Sequence, residues 1–111
     1  MVVWWSSPVE CVSAFARLRR AGLLSTSDEE LCLGLLRHLQ SAWYEIVPVE
    51  QVRLQAQRIL RLHPLRAADA LQLAAATEWA GAPSSGRMVT FDARLADAAR
   101  LEGFEVATVA P

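Results

Sequence analysis

The sequence RAADALQLAAATEWA, residues 66–80, is apolar around most of its circumference when it is drawn as a helix. A helix without a polar face is expected to be largely buried. A loop at 81–86 (GAPSSG), a β-branched run at 88–91 (MVTF), a helical pattern at 92–101 and an apolar run at 104–109 (FEVATV) follow it. This order of helix, strand, helix and strand predicts α/β architecture with a parallel sheet.

The N-terminal part of the chain shows the same alternation. Residues 2–5 (VVWW) and 43–47 (WYEIV) are β-branched and aromatic, which favours strands. Ser7, Pro8 and Glu10 suit the N-cap, first turn and capping-box partner of a first long helix. Adjacent Trp4 and Trp5 are expected to point to opposite faces of their strand.

Two more helices are predicted between these strands and the apolar helix. Residues 27–30 (SDEE) form a second capping-box pattern. The helix that it opens carries leucines at helical spacing: Leu31, Leu35, Leu36 and Leu39. Residues 50–62 are amphipathic, with Val52, Ala56, Ile59 and Leu60 on one face, and His63 and Pro64 end that pattern.

Length and composition restrict the classes of protein that fit. The chain has 111 residues and a mass of 12.2 kDa, the size of a single domain. It is 53% hydrophobic and 21% charged, which excludes intrinsic disorder. Cys11 and Cys32 lack metal-ligand spacing and predict reduced thiols. No secretory signal or apolar run of membrane-spanning length is found, so we expect a cytoplasmic protein that does not contact a membrane.

Charge leaves the question of nucleic-acid binding open. The net charge is −1, so overall charge supplies no argument for it. All 11 basic residues are arginine, whose planar guanidinium pairs with phosphate in bidentate fashion. GC-rich coding, which favours arginine and alanine codons, explains the same composition.

Three carboxylates lie where predicted strands end and helices begin. Glu10 follows the first strand, Asp69 lies in the first turn of the apolar helix, and Asp92 ends the MVTF strand. Each also suits a helix N-terminus, as a cap or a first-turn acid. If a parallel sheet brings them together, their charges repel one another unless a cation lies between them. Oxygen ligands without His or Cys suit Mg²⁺ or Mn²⁺, which activates water for attack on phosphorus.

Four stretches of the chain resemble the PIN-domain family, and in particular the VapC-type toxins of bacterial type II toxin–antitoxin pairs. They are SPVE (7–10), HPLRAADALQLAAA (63–76), VTFDARLADAAR (89–100) and GFEV (103–106). The resemblance covers nearly the whole chain and is most specific from residue 63 onward. It implies a three-layer α/β/α sandwich with a mainly parallel sheet, and a metal-dependent endoribonuclease that hydrolyses RNA phosphodiester bonds.

The family's four acidic positions match this chain at three places. Glu10 matches the second, Asp69 the third and Asp92 the fourth, so these residues are implied to be catalytic and to hold Mg²⁺ (or Mn²⁺). Thr90 matches a position that often places a hydroxyl near the metal. Arg66 and Arg94 lie beside Asp69 and Asp92 and suit RNA phosphates. Solvated arginines at helix ends are the alternative reading of those two residues.

The family's first strand, which ends in the first acidic residue, and its first helix have no counterpart here. Residues 1–111 are therefore read as one PIN-like domain lacking those elements, because translation starts earlier or because the domain is degenerate. The family strand is central in its sheet, and its loss exposes strand edges that favour association. The implied partners are RNA, a cognate antitoxin and a second copy of the chain. The alternative function is a catalytically inactive module that binds an antitoxin or dimerises.

A third interpretation uses composition alone: an α/β domain whose acidic residues are only helix caps. It predicts no effect of divalent metal on melting temperature or activity. His38 and His63 have no metal-ligand spacing to another His or Cys and are expected to be surface or loop residues.

Overall fold

The computed structural model of the protein describes residues 1–81 and 86–107. These residues form nine helices and strands, which lie along the chain in the following order: β1 (Val2–Trp4), α1 (Ser7–Arg20), α2 (Thr26–Gln40), β2 (Tyr44–Ile46), α3 (Glu50–Leu62), α4 (Ala67–Ala80), β3 (Arg87–Val89), α5 (Ala93–Leu101) and β4 (Glu105–Ala107).

The prediction of a three-layer α/β/α sandwich with a mainly parallel sheet is wrong. The five helices contain 63% of the described residues, and each strand is only three residues long. The strands form two separate two-stranded sheets, β1 with β2 and β3 with β4. A run of β-branched residues predicts a strand locally, but it does not determine which other strands will pair with it.

Contacts divide the chain into two compact units, Met1–Val47 and Pro48–Pro111. In the first unit, β1 and β2 pair in parallel with Val2 opposite Tyr44 and Trp4 opposite Ile46. Helices α1 and α2 pack together and connect these strands. Trp4, in β1, is 6% exposed, and Trp5, which follows the strand, is 53% exposed.

Both helix starts in the first unit differ from the predicted capping boxes. Helix α1 has Ser6 as its N-cap, and Ser7 is its first residue, with a buried hydroxyl that no described residue contacts by a hydrogen bond. Helix α2 has a capping box two residues earlier than expected: the Asp28 amide donates to Ser25 Oγ (3.0 Å), and the Ser25 amide donates to Asp28 Oδ2 (3.1 Å). Neighbouring serines offer equivalent caps, so only the path of the chain selects one.

The core of the second unit lies where α3 packs on α4. Val52 and Ile59 of α3 are fully buried, and so is Leu73 of α4. Alanines at 70, 74 and 75 are also fully buried, and their small side chains allow the two helices to approach closely. The helix predicted over 50–62 is confirmed at its bounds, and Val52, Ala56 and Ile59 are buried, but Leu60, predicted on the same face, is 40% exposed. The expected burial of much of the apolar helix is confirmed.

The two strands of the second unit pair in parallel, with Arg87 opposite Glu105 and Val89 opposite Ala107, and α5 connects them. Gly86 precedes β3 at a close approach, since a Cβ there would lie 2.9 Å from Phe104 Cε1. Residues 82–85 of the predicted loop and 108–109 of the predicted last strand lie outside the described residues. Within the described ranges, no helix is long and apolar enough to cross a membrane.

Candidate active site

Two of the predicted acidic residues line one cleft in the second unit. The cleft has a volume of about 460 Å³ and lies where the N-termini of α4 and α5 meet. Asp69 comes from the first turn of α4, and Asp92 is the residue before α5. Arg66, Arg94, Leu65 and Ala93 complete the lining. Two carboxylates and two guanidinium groups therefore border a single open space.

The surroundings of the Asp69 carboxyl disfavour its ionised form. Partial burial raises the pKa of the Asp69 carboxyl, the negative charge of Asp92 raises it further, and the positive charge of Arg66 opposes both effects. The two carboxylates are thus close enough to repel each other electrostatically. A cation between them would remove that repulsion and favour the charged form of both groups.

Asp92 is held in place by local hydrogen bonds. Its Oδ1 accepts a hydrogen bond from the Leu95 amide (2.8 Å), which makes Asp92 the N-cap of α5. Its own amide donates to Thr90 Oγ1 (3.1 Å). The interpretation of Asp92 as a cap is therefore confirmed, and the second carboxylate oxygen, Oδ2, accepts no hydrogen bond from the described residues. One oxygen orients the side chain and leaves the other available to a ligand.

Thr90 has a supporting position in this arrangement. Its hydroxyl oxygen bonds the Asp92 amide, and its side chain lines an adjacent cleft rather than the one that holds Asp69. The described geometry thus makes Thr90 a residue that fixes the backbone at Asp92.

Arg66 and Arg94 line the same cleft as the two carboxylates. Neither forms an ion pair with a carboxylate of the described residues, whereas several other arginines do. Arg66 is the N-cap residue of α4, and Arg94 lies in the first turn of α5. Both guanidinium groups are therefore available to bind an anion at this cleft.

Glu10 belongs to the first unit. It lies in the first turn of α1, where its Oε1 accepts a hydrogen bond from Ser6 Oγ (2.9 Å). Partial burial, and then the charge of Glu10, raise the pKa of the neighbouring Cys11 thiol. Across the described residues, no group of three or more His, Cys, Asp or Glu side chains is arranged to hold a metal ion. The site that the described geometry assembles has two carboxylates.

A polar cluster that the sequence did not reveal lies elsewhere in the second unit. His63 Nε2 lies 2.8 Å from Glu102 Oε2, and Arg58 binds the other oxygen of the same carboxylate. His63 lies in the loop between α3 and α4, as expected of a surface or loop residue, but its side chain is only 8% exposed. The hydrogen bond from Arg58, more than that from His63, lowers the pKa of Glu102 below its usual value, although burial opposes the shift. No local pattern links positions so far apart in sequence.

Comparison with models of known protein families finds no match, and comparison with curated proteins finds none either. The resemblance to PIN domains therefore stays a prediction from the sequence.

Proposed function

We propose that this protein is a metal-dependent endoribonuclease that hydrolyses phosphodiester bonds at the cleft of Asp69 and Asp92. The observation that carries the proposal is the meeting of these two carboxylates in one cleft with Arg66 and Arg94. The resemblance to VapC-type PIN domains supplies RNA as the substrate class and an antitoxin protein as the partner.

The donor set fits Mg²⁺ or Mn²⁺. Magnesium keeps several of its water ligands and is commonly bound through one or two carboxylates together with a substrate phosphate. Asp69 and Asp92 would hold the ion. Partial burial and then the charge of Asp92 raise the pKa of Asp69, and a cation in the cleft would offset both effects. When bound, the ion supplies an activated water and neutralises charge on the phosphate.

The chain's own residues contribute orientation and charge. The cap to Leu95 and the bond to Thr90 hold the Asp92 carboxylate before any ligand arrives. Arg66 and Arg94 would bind the non-bridging phosphate oxygens and stabilise the negative charge that grows on them during attack. A preorganised carboxylate and two preplaced cations are features expected of a phosphodiesterase.

The test is cleavage of a labelled RNA by the purified protein with Mn²⁺ or Mg²⁺, and with EDTA as the metal-free condition. Asp69→Asn and Asp92→Asn should abolish cleavage, because an amide binds a hard cation much more weakly than a carboxylate does. Asparagine is as good an N-cap as aspartate, so the fold of Asp92→Asn should persist. Glu50→Gln, at the exposed start of α3, is the matched control. Full cleavage by Asp92→Asn would overturn the proposal.

The second candidate is a binding module without catalytic activity. It is favoured by the two-carboxylate site and by a stripe of exposed leucines on α2. Leu31, Leu35 and Leu39 are 69%, 64% and 48% exposed and lie at i, i+4 and i+8, on one face of the helix. Exposed apolar faces of this kind commonly bind another protein, here an antitoxin or a second copy of the chain.

These two candidates make different predictions. Absence of cleavage at high Mn²⁺, combined with tight antitoxin binding that Leu35→Asp abolishes, would favour the binding module. The same substitution should convert a dimer into a monomer if the α2 stripe joins two copies, and sedimentation analysis would measure that change. Metal-dependent cleavage by the purified protein would count against the inactive module.

A further inference from the structure

Phe91 has the largest exposed fraction of the large hydrophobic residues in the described part of the chain, at 83%. It lies between Thr90 and Asp92, so it is the sequence neighbour of a carboxylate residue of the candidate site. Burial of an aromatic side chain is strongly favourable, and full exposure forgoes that gain. Folding alone gives no reason for a phenylalanine at this position.

The backbone on both sides of Phe91 is fixed. Strand β3 ends two residues earlier at Val89, and α5 begins two residues later at Ala93. Between them, the Asp92 amide bonds Thr90 Oγ1, and the Asp92 carboxylate caps the helix at Leu95. The ring is therefore presented to solvent from a short, hydrogen-bonded turn.

Phe91 also lines a second cleft, of about 270 Å³, which shares Asp92 and Ala93 with the first one. Arg100 lines the same second cleft. Its contact with Asp97 is 3.4 Å long and solvent-exposed, so it holds the guanidinium only weakly. An aromatic ring and a loosely held cation thus extend the carboxylate site in one direction.

We propose that Phe91 is a stacking platform for an unpaired base of single-stranded RNA, whose adjacent phosphate is bound by Arg100. This inference rests on the proposed function and specifies its substrate as single-stranded RNA. Bases of a single strand present their faces to aromatic side chains, whereas bases in a duplex are already stacked on one another. The cleft beside Phe91 combines small apolar residues with the charged side chains of Asp92, Asp97 and Arg100. A cation next to an exposed ring suits a base and its phosphate, and a protein partner is an outcome that the test below distinguishes.

The test measures the affinity of a labelled single-stranded oligoadenylate in EDTA, where metal-dependent cleavage does not proceed. Phe91→Ala should weaken binding about 5- to 150-fold, the effect of losing one stacked base. Phe91→Trp should retain or increase the affinity, while Phe91→Leu should behave like Phe91→Ala. Leu101→Ala, at an equally exposed apolar position on α5, should stay within about twofold of the wild-type value. Duplex RNA of matched length should bind the wild-type protein and Phe91→Ala equally.

Several results would overturn the inference. One is unchanged single-strand affinity in Phe91→Ala, and another is full affinity in Phe91→Leu, which would indicate an apolar rather than an aromatic contact. A third is loss of antitoxin binding in Phe91→Ala with RNA affinity intact, which would make Phe91 a protein contact.

The proposed function can fail separately. If the protein cleaves RNA but binds it equally well without the Phe91 ring, the ribonuclease proposal stands and the stacking inference is wrong. If RNA binding requires Phe91 but the protein does not cleave RNA under any metal condition, the stacking inference stands and the ribonuclease proposal is wrong.

Discussion

The negative charge of Asp92 raises the pKa of Asp69, although the two residues come from the starts of different helices. Burial contributes the larger part of the shift, and Arg66 opposes it. The cleft therefore holds two like charges at a cost in stability, a pattern frequently found where a protein binds a cation or performs chemistry.

Asp69→Asn should change how stability depends on pH. The raised pKa means that folded Asp69 binds a proton at pH values where the unfolded chain has already lost it. Stability therefore falls as the pH rises through the folded pKa, and this loss is absent below the ordinary value of about 3.8. We expect the melting temperature of Asp69→Asn, relative to wild type, to increase from acid to neutral pH. A constant difference across that range would contradict the assignment.

Mn²⁺ or Mg²⁺ should raise the melting temperature of the wild-type protein, because only the folded state brings Asp69 and Asp92 together. At free metal of about 100 times Kd, the stabilisation is about 2.7 kcal/mol. The shift should disappear in Asp92→Asn and persist in Glu50→Gln. Equal shifts in all three proteins would show that the metal binds elsewhere.

Substitutions of Asp92 should separate its role as a helix cap from its role in the site. Asp92→Ala removes the bond to the Leu95 amide and should lower the free energy of unfolding by about 0.5–2 kcal/mol, while Asp92→Asn retains the cap. Both should abolish metal-dependent cleavage. Chemical denaturation and the RNA assay, done on the same preparations, make the comparison. Equal stability of the two variants would argue against the cap.

Glu102→Gln should destabilise the second unit by about 1–3 kcal/mol, because it removes the negative charge that binds the Arg58 guanidinium and the largely buried His63 ring. The lowered pKa of Glu102 means that its contribution is present above the unfolded value of about 4.5 and is lost as the pH falls through the lower folded value. The difference between variant and wild type in urea unfolding should therefore shrink at acid pH. Glu50→Gln, which loses only an exposed contact to Arg53, should change stability by less than about 0.5 kcal/mol.

Leu73→Ala should lower the free energy of unfolding by about 2–5 kcal/mol, because Leu73 is fully buried in the core formed by α3 and α4. Leu101→Ala, at a position 77% exposed, is the matched control and should have little effect. Denaturant titration of both variants measures the difference, and similar losses would mean that Leu73 is not central to the core.

Local patterns in the sequence determined where the helices form. Helix α3 has the predicted bounds, because the spacing of Val52, Ala56 and Ile59 depends only on the helical repeat and on one buried face. The role of Asp92 as a cap follows from its place immediately before a helix. The starts of α1 and α2 were misplaced by one and two residues, because neighbouring serines compete for the same role.

The arrangement of these elements depends on contacts between segments that are distant in sequence. The sequence predicts one parallel sheet, but the four short strands form two separate two-stranded sheets. Strand pairing depends on contacts between segments that are far apart in sequence. The same reason hid the bond between His63 and Glu102 and the exposure of Leu31 and Leu35 on α2. Local patterns along the chain were enough to predict the helices and the residue types at their ends. Asp69 and Asp92 share a cleft because the packing of the folded chain brings together two residues that are 23 positions apart in the sequence.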